Sequence, residues 1–194
     1  MTQTHERHGV DVQRRPHPKG RRTEAAYLDY IGDRNSLVEL VDRRIVIHPM
    51  PTPAHQRIVA RILRRLLEST FGQAVPAPMP VRLPMGTIRE PDVGFYATAH
   101  LDRLDGPIAG PPDLAVEVLS PDSVQRDRVQ KRVEYAEAGI GEYWIVDPVA
   151  CDVLVLHLDP STSAYAEAGR FAGDDVVTPM AAPDAAVRVG ELFG

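Results

Sequence analysis

PDLAVEVLSPDSVQRDRVQKRVEY, residues 112–135, decides how the chain is read. Its first half has the apolar density of a fully buried strand, yet Glu117 lies at the centre. Alternation along the strand puts Leu114, Val116 and Val118 on one face, with Asp113, Ala115, Glu117 and Leu119 on the other. Burying an unpaired carboxylate costs several kcal/mol or more, so a counter-charge, a metal ion or a proton must face Glu117. An arginine such as Arg89 is the plain candidate, and a metal ion is the chemically interesting one.

The second half predicts a helix from about Pro121, with Ser120 as N-cap and Gly139 and Gly141 closing it. It carries Lys131, one of two lysines among 22 basic residues. A chain that otherwise uses arginine keeps here a compact ammonium that can lose its proton, which guanidinium does not replace in chemistry. At 100° per residue Lys131 shares a stripe with Val124, Asp127, Tyr135 and Ala138, while Val129, Val133 and Ala136 lie opposite. If the valine stripe faces the core, Lys131 points to solvent and pairs with Asp127 or Glu134. A helix buried on the Lys131 and Tyr135 stripe would instead line a pocket.

Working outward, TEAAYLDYI from Thr23 reads as a short helix capped by Thr23 and closed by Gly32. SLVELVDRRIVIHP reads as a hairpin turning at Asp42 and Arg43. Residues 53–69 place Ile58, Val59, Ile62, Leu63, Leu66 and Leu67 on one side and arginines on the other, the clearest amphipathic helix in the chain. AVPAPMPVRLP suits an edge strand, IREPDVGFY a strand entered through Pro91, and residues 97–112 a loop. EYWIVD and VLVLHL extend the sheet, and the chain beyond about residue 160 reads as short strands and turns. The fold class is α/β (α+β), a mixed central sheet flanked by helices and preceded by a β-hairpin.

At 194 residues the chain suits one domain, read as 23–194, behind a basic tail, 1–22, that shows no apolar period. That tail holds six Arg or Lys against two acids, so the acidic body departs further from neutrality than the net charge of −5 suggests. Its histidines, His5, His8 and His17, read as solvated. One cysteine, Cys151, excludes an internal disulfide, and the absence of a signal-like or membrane-length apolar run gives a soluble, cytoplasmic reading without a membrane partner.

Asp92 follows Pro91 at the start of the strand before Glu117, and sequential strands are often sheet neighbours. Two converging carboxylates either raise one pKa or take a cation between them. Magnesium, with manganese as substitute, takes oxygen ligands and needs only one or two protein carboxylates besides water and phosphate. That donor set suits metal-assisted phosphodiester hydrolysis, to which a nearby ammonium adds fixed positive charge.

The order ELV-D, HPMPTPAHQRIVARIL, PDVGFY, PDLAVEVLSPDS, a helix with K-x-x-x-Y, and AGIGEYWIVDP resembles the bacterial Uma-two-type family of restriction endonucleases, within the PD-(D/E)XK phosphodiesterase superfamily. The similarity spans roughly residues 23–160. It implies a restriction-endonuclease-like fold, with Pro91-Asp92 as the "PD" and Glu117 as the second acid. The superfamily's lysine two residues beyond that acid is Leu119 here, and the resemblance supplies it from the next helix as Lys131, with Tyr135 one turn on. Glu39 matches an acidic position of the first hairpin and is an additional metal ligand by the same resemblance. The turn that is commonly Asp-Gly in such hairpins reads Asp42-Arg43-Arg44.

The expectation is therefore a magnesium-dependent endonuclease acting on DNA. Asp92, Glu117 and Lys131 are catalytic, Asp92, Glu117 and Glu39 bind metal, and His55 and Tyr135 contact substrate. Family analogy and the economy of cutting two strands with two sites point to a homodimer. Two alternatives stand beside it: a catalytically inactive binding or assembly module of the same fold, and a hydrolase of small phosphoesters. Without the resemblance, His55 and Tyr135 read as structural residues, and Trp144 as core.

Overall fold

A computed structural model describes residues 22–32 and 37–194; the expected basic tail lies outside the described residues, except for Arg22. Helices α1 (Glu24–Ile31) and α2 (Pro53–Leu67) form where the sequence places them. The Thr23 side chain accepts from the Ala26 amide and the Thr52 side chain from the His55 amide, each supplying an acceptor to an otherwise orphaned helix N–H. The apolar stripe of α2 buries Ile58, Val59, Ile62 and Leu66. Each contributes roughly 1.5–3 kcal/mol, so a charge at Ile62 would detach the helix.

Strands β1 (Val38–Val41) and β2 (Arg44–Ile47) make the expected hairpin. Asp42 and Arg43 have φ of 49° and 61°, the left-handed pair that a two-residue hairpin turn demands. Arg43 thus keeps the geometry that glycine usually supplies, at a cost of about 1 kcal/mol. The hairpin joins β4 (Val81–Arg82) and β5 (Ile88–Arg89) in a four-stranded sheet ordered β2-β1-β5-β4.

The main sheet has six strands in the order β10-β9-β8-β7-β6-β3. These are β3 (Gly72–Pro76), β6 (Val93–Ala97), β7 (Leu114–Val118), β8 (Glu142–Asp147), β9 (Asp152–Asp159) and β10 (Ala164–Ala172). Only β7 and β8 run parallel. Helix α3 (Lys131–Glu137) provides the crossover between them. The mixed sheet flanked by helices is the restriction-endonuclease-like arrangement. A final pair, β11 (Val176–Val177) and β12 (Val187–Arg188), closes the chain.

Side-chain alternation separates two cores across this sheet. Leu114, Val116 and Val118 pack with α2, while Ala115 and Leu119 pack with Tyr135 and Ala136 of α3. Glu117 therefore faces α3. A third cluster joins Val38 and Leu40 of the hairpin to Tyr27 of α1, which turns Glu39, between them, toward the opposite side.

Three expectations need correction. IREPDVGFY is two strands, since β5 belongs to the four-stranded sheet and β6 to the six-stranded one; Pro91, without an N–H, sits at the crossing. The helix after β7 does not begin at Pro121 with Ser120 as its cap: residues 121–123 form a turn in which the Ser120 amide donates to Ser123 Oγ. A π-helical stretch, Arg126–Gln130, then leads into α3. Past residue 160 the chain is not all short strands, because β10 is nine residues long. It is an edge strand with mostly exposed side chains, so it lacks the apolar alternation that announces a strand.

Candidate active site

Antiparallel register sets Val93 opposite Val116 and Gly94 opposite Ala115. Asp92 immediately precedes Val93 and Glu117 immediately follows Val116, so the register brings the two acids to the same end of the strand pair. Asp92 does not dangle there: its Oδ2 accepts from the Val118 amide at 2.8 Å, taking the place of a backbone acceptor. His55, at the head of α2, brings Nε2 to 3.2 Å from the same oxygen and 3.0 Å from the Val118 carbonyl. Both neighbours are acceptors, so Nε2 carries the hydrogen. Burial lowers the His55 pKa, but the hydrogen bond and charge of Asp92 outweigh it and the net shift is upward.

Glu117 is buried and its Oε1 accepts from Lys131 Nζ at 2.6 Å and from the Tyr135 hydroxyl at 2.7 Å. The helical-phase question is thereby answered. Val129 and Val133 are 49% and 55% exposed, while Lys131 is 2% exposed, so the Lys131, Tyr135 and Asp127 stripe faces inward. The valines misled because a stripe rich in branched apolar residues reads as core. Tyr135 is held edge-on against Tyr143, with ring centroids 5.1 Å apart.

Three carboxylates surround the Lys131 ammonium: Glu117 at 2.6 Å, Glu39 at 3.4 Å and Asp127 at 3.6 Å. Burial alone would lower the lysine pKa, but these neighbours reverse the shift and keep it protonated. Burial pushes Glu117 up to about 8; Lys131 pulls against that, and the charges of Asp127 and Asp92 add to it. Burial also acts to raise Glu39, yet Lys131, His48 and Arg89 hold it well below the ordinary carboxylate range.

Arg89 does not pair with Glu117. Its guanidinium spans Glu134, through bonds of 2.6 and 2.8 Å, and Glu39 at 2.8 Å. Glu39 also receives His48 Nε2 at 2.8 Å and the Glu90 amide at 3.3 Å, so both its oxygens are engaged. Glu90 accepts from the Val38 amide and the Tyr27 hydroxyl, and burial pushes it up to about 7.

Of the residues expected to act, Glu117, Lys131, Tyr135 and Glu39 gather in one hydrogen-bonded and ion-paired cluster, and Asp92 and His55 stand beside it, held to the backbone of Val118. Arg89 joins it through Glu39 and Glu134 and not through Glu117, Asp127 pairs with Lys131 although that lysine is buried, and Glu90 carries no expectation from the sequence. Asp127 shares the Lys131 stripe and Glu90 immediately precedes Pro91-Asp92, signals that were present but unspecific. Asp127 is buried, and its Oδ1 receives no hydrogen bond from the described residues.

Fitness for a hard cation can be judged from the donors. Among the described residues no group of three or more His, Cys, Asp or Glu stands ready to enclose a metal ion. Asp92 Oδ1 and Glu117 Oε2, however, each receive no hydrogen bond from the described residues, while their partner oxygens are fixed. Two oriented carboxylates with one free oxygen apiece fit magnesium, which keeps most of its waters. The acids of the cluster also outnumber Lys131 and Arg89, which favours an added cation.

The fold and this carboxylate–ammonium site place the molecule among nuclease-like α/β proteins. A family model described as "Putative restriction endonuclease" (Uma2) matches residues 25–190, and the chain belongs to that family. Among solved structures, the chain is similar to one titled a "putative nuclease belonging to DUF820" from Anabaena variabilis. The TM-score is 0.68 at 19% identity, over 86% of this chain and 96% of that one. No curated protein matches.

Proposed function

We propose that the protein is a divalent-metal-dependent endonuclease that hydrolyses DNA phosphodiester bonds. The observation that supports it best is the placement of Asp92, just before β6, at the same end of the strand pair as Glu117 of β7, each with one oxygen that takes no hydrogen bond from the described residues, near a buried ammonium. A magnesium or manganese ion, when bound, supplies an activated water and Lewis-acid stabilisation of the phosphate. Asp92 and Glu117 would hold it. His55 and the Val118 amide fix Asp92 so that its free oxygen is presented without rearrangement. Tyr135 does the same for Glu117. Lys131 supplies fixed positive charge toward the negative charge growing on the phosphate, and Asp127 and Glu39 keep it protonated and in place. Glu39, with both oxygens engaged, serves that counter-charge role instead of offering a free ligand oxygen.

Plasmid nicking or linearisation in magnesium or manganese tests this reading. Asp92→Asn, Glu117→Gln and Lys131→Met should each abolish it in folded protein, by a factor of roughly 10² or more, the scale on which single electrostatic catalytic groups act. Cleavage that persists in both carboxylate variants removes the assignment. Sedimentation of the protein with and without DNA tests whether two copies act together.

One observation favours a non-catalytic module of the same fold: Lys131 already compensates Glu117 at 2.6 Å. Calorimetric titration discriminates, because a module of this kind takes up no divalent ion at millimolar concentration.

A further inference from the structure

Asp92 also lines a groove of about 370 Å³ that no step above uses. Its walls are Met50 and Pro51 after the hairpin, Gln56, Ala60 and Leu63 of α2, and Pro78 after β3. The volume falls in the range of small-ligand sites, about 300–1,000 Å³, and the lining is mainly apolar, as in such sites. Met50 is 76% exposed, so its side chain is open to whatever enters the groove.

We infer that this groove receives an unstacked nucleobase, and that the preferred substrate is DNA whose bases are unpaired at the cleavage point. This rests on the phosphodiester reading above. Three features argue for that occupant. Asp92 belongs to both the groove and the carboxylate pair, so whatever fills the groove adjoins the reacting phosphate. The lining presents flat aliphatic and proline surfaces, suited to a base face, with Gln56 able both to donate to and to accept from a base edge. Along α2, Arg57 and Arg64 flank Ala60 at i−3 and i+4. Both are exposed and neither has an ion-pair or hydrogen-bond partner among the described residues. They stand seven residues, about 10 Å, apart along the helix. A polyanion running beside the groove meets both; a neutral peptide has no use for them. Bases held in a duplex cannot enter, because their faces are stacked.

The test is binding of a single-stranded oligonucleotide carrying 2-aminopurine, against the same sequence as a duplex, with the wild-type protein in chelator so that nothing is cut. The single strand should bind at least tenfold more tightly, with a rise in 2-aminopurine emission as the base leaves its stack. Met50→Glu and Ala60→Glu, both at exposed positions, should each weaken single-strand binding about tenfold with unchanged circular dichroism. Arg57→Gln with Arg64→Gln should lower affinity and flatten its salt dependence. Equal binding of the two forms, binding of neither, or indifference to the two glutamate variants overturns the inference. Metal-dependent cleavage lost in Asp92→Asn would then still support the phosphodiester reading. Selective single-strand binding without any cleavage would leave the groove assignment standing and remove the catalytic one.

Discussion

Replacing Lys131 with methionine probes the centre of the network. Methionine matches the length and bulk of the lysine stem, so packing changes little and the perturbation is the lost charge. The ammonium is 2.6 Å from Glu117, 3.4 Å from Glu39 and 3.6 Å from Asp127, all buried. Removing one partner of a buried ion pair costs about 3–5 kcal/mol, because the remaining charge has no compensation. For a protein of this size that lowers Tm by about 6–20 °C. The loss must depend on pH. Glu117 already titrates upward, near 8, and without Lys131 its folded-state value rises further. A carboxyl whose folded pKa is raised favours the folded state at low pH, and that contribution disappears as pH climbs through the folded value. Urea unfolding of parent and variant at pH 5.5, 7 and 8.5 should therefore show a gap that widens with pH. If carboxylates left bare by the substitution can recruit a divalent ion, millimolar manganese should narrow the gap at pH 8.5. A penalty below 1 kcal/mol that is flat across this pH range would refute the counter-charge reasoning.

Three further outcomes are expected. Glu90→Gln should remove a pH dependence: Glu90 rises from 4.5 to about 7 on folding, so it stabilises by about 3 kcal/mol below pH 4.5 and by nothing above pH 7. Urea unfolding at pH 5 and 8 should show a smaller drop for the variant than for the parent. Tyr135→Phe deletes a 2.7 Å hydrogen bond to Glu117 and should cost about 1.5–3 kcal/mol, with the greater cost at high pH where the carboxylate is ionised. Val129→Lys and Val133→Lys lie on the exposed stripe of the crossover helix and should change stability by no more than about 0.5 kcal/mol; a loss of several kcal/mol would contradict the inward phase of Lys131.

Much of this arrangement is legible in the sequence because it follows from periodicity. Alternation alone turns Glu117 away from Val116 and Val118, and the spacing of three and four in α2 identifies its buried face. The helical wheel of residues 124–138 offers two stripes but cannot choose between them, since a buried ammonium and an exposed valine both run against average preference; the choice is made by three carboxylates converging from β1, β7 and the π-helical stretch. Arg89 shows the same limit. Its partner could be any nearby acid; the pairing of β5 with β1 directs it to Glu39, and the placement of α3 supplies Glu134, so neither contact is with Glu117. The start of the helix after β7 departs from the sequence because Ser120-Pro121 is a sound cap signal locally, overridden when Ser123 Oγ accepts from the Ser120 amide.

The bond from the Val118 amide to Asp92 has a consequence for how the molecule moves. A side chain that completes a sheet's ladder is carried by the backbone, so the position of this carboxylate follows the most rigid part of the fold and not the loop from which it departs. In deuterium exchange the Val118 amide should rank with the slow central-strand amides despite sitting at the end of its strand. Asp92→Ala should accelerate that one site far more than its neighbours, whereas Asp92→Asn, which retains an acceptor, should leave it slow.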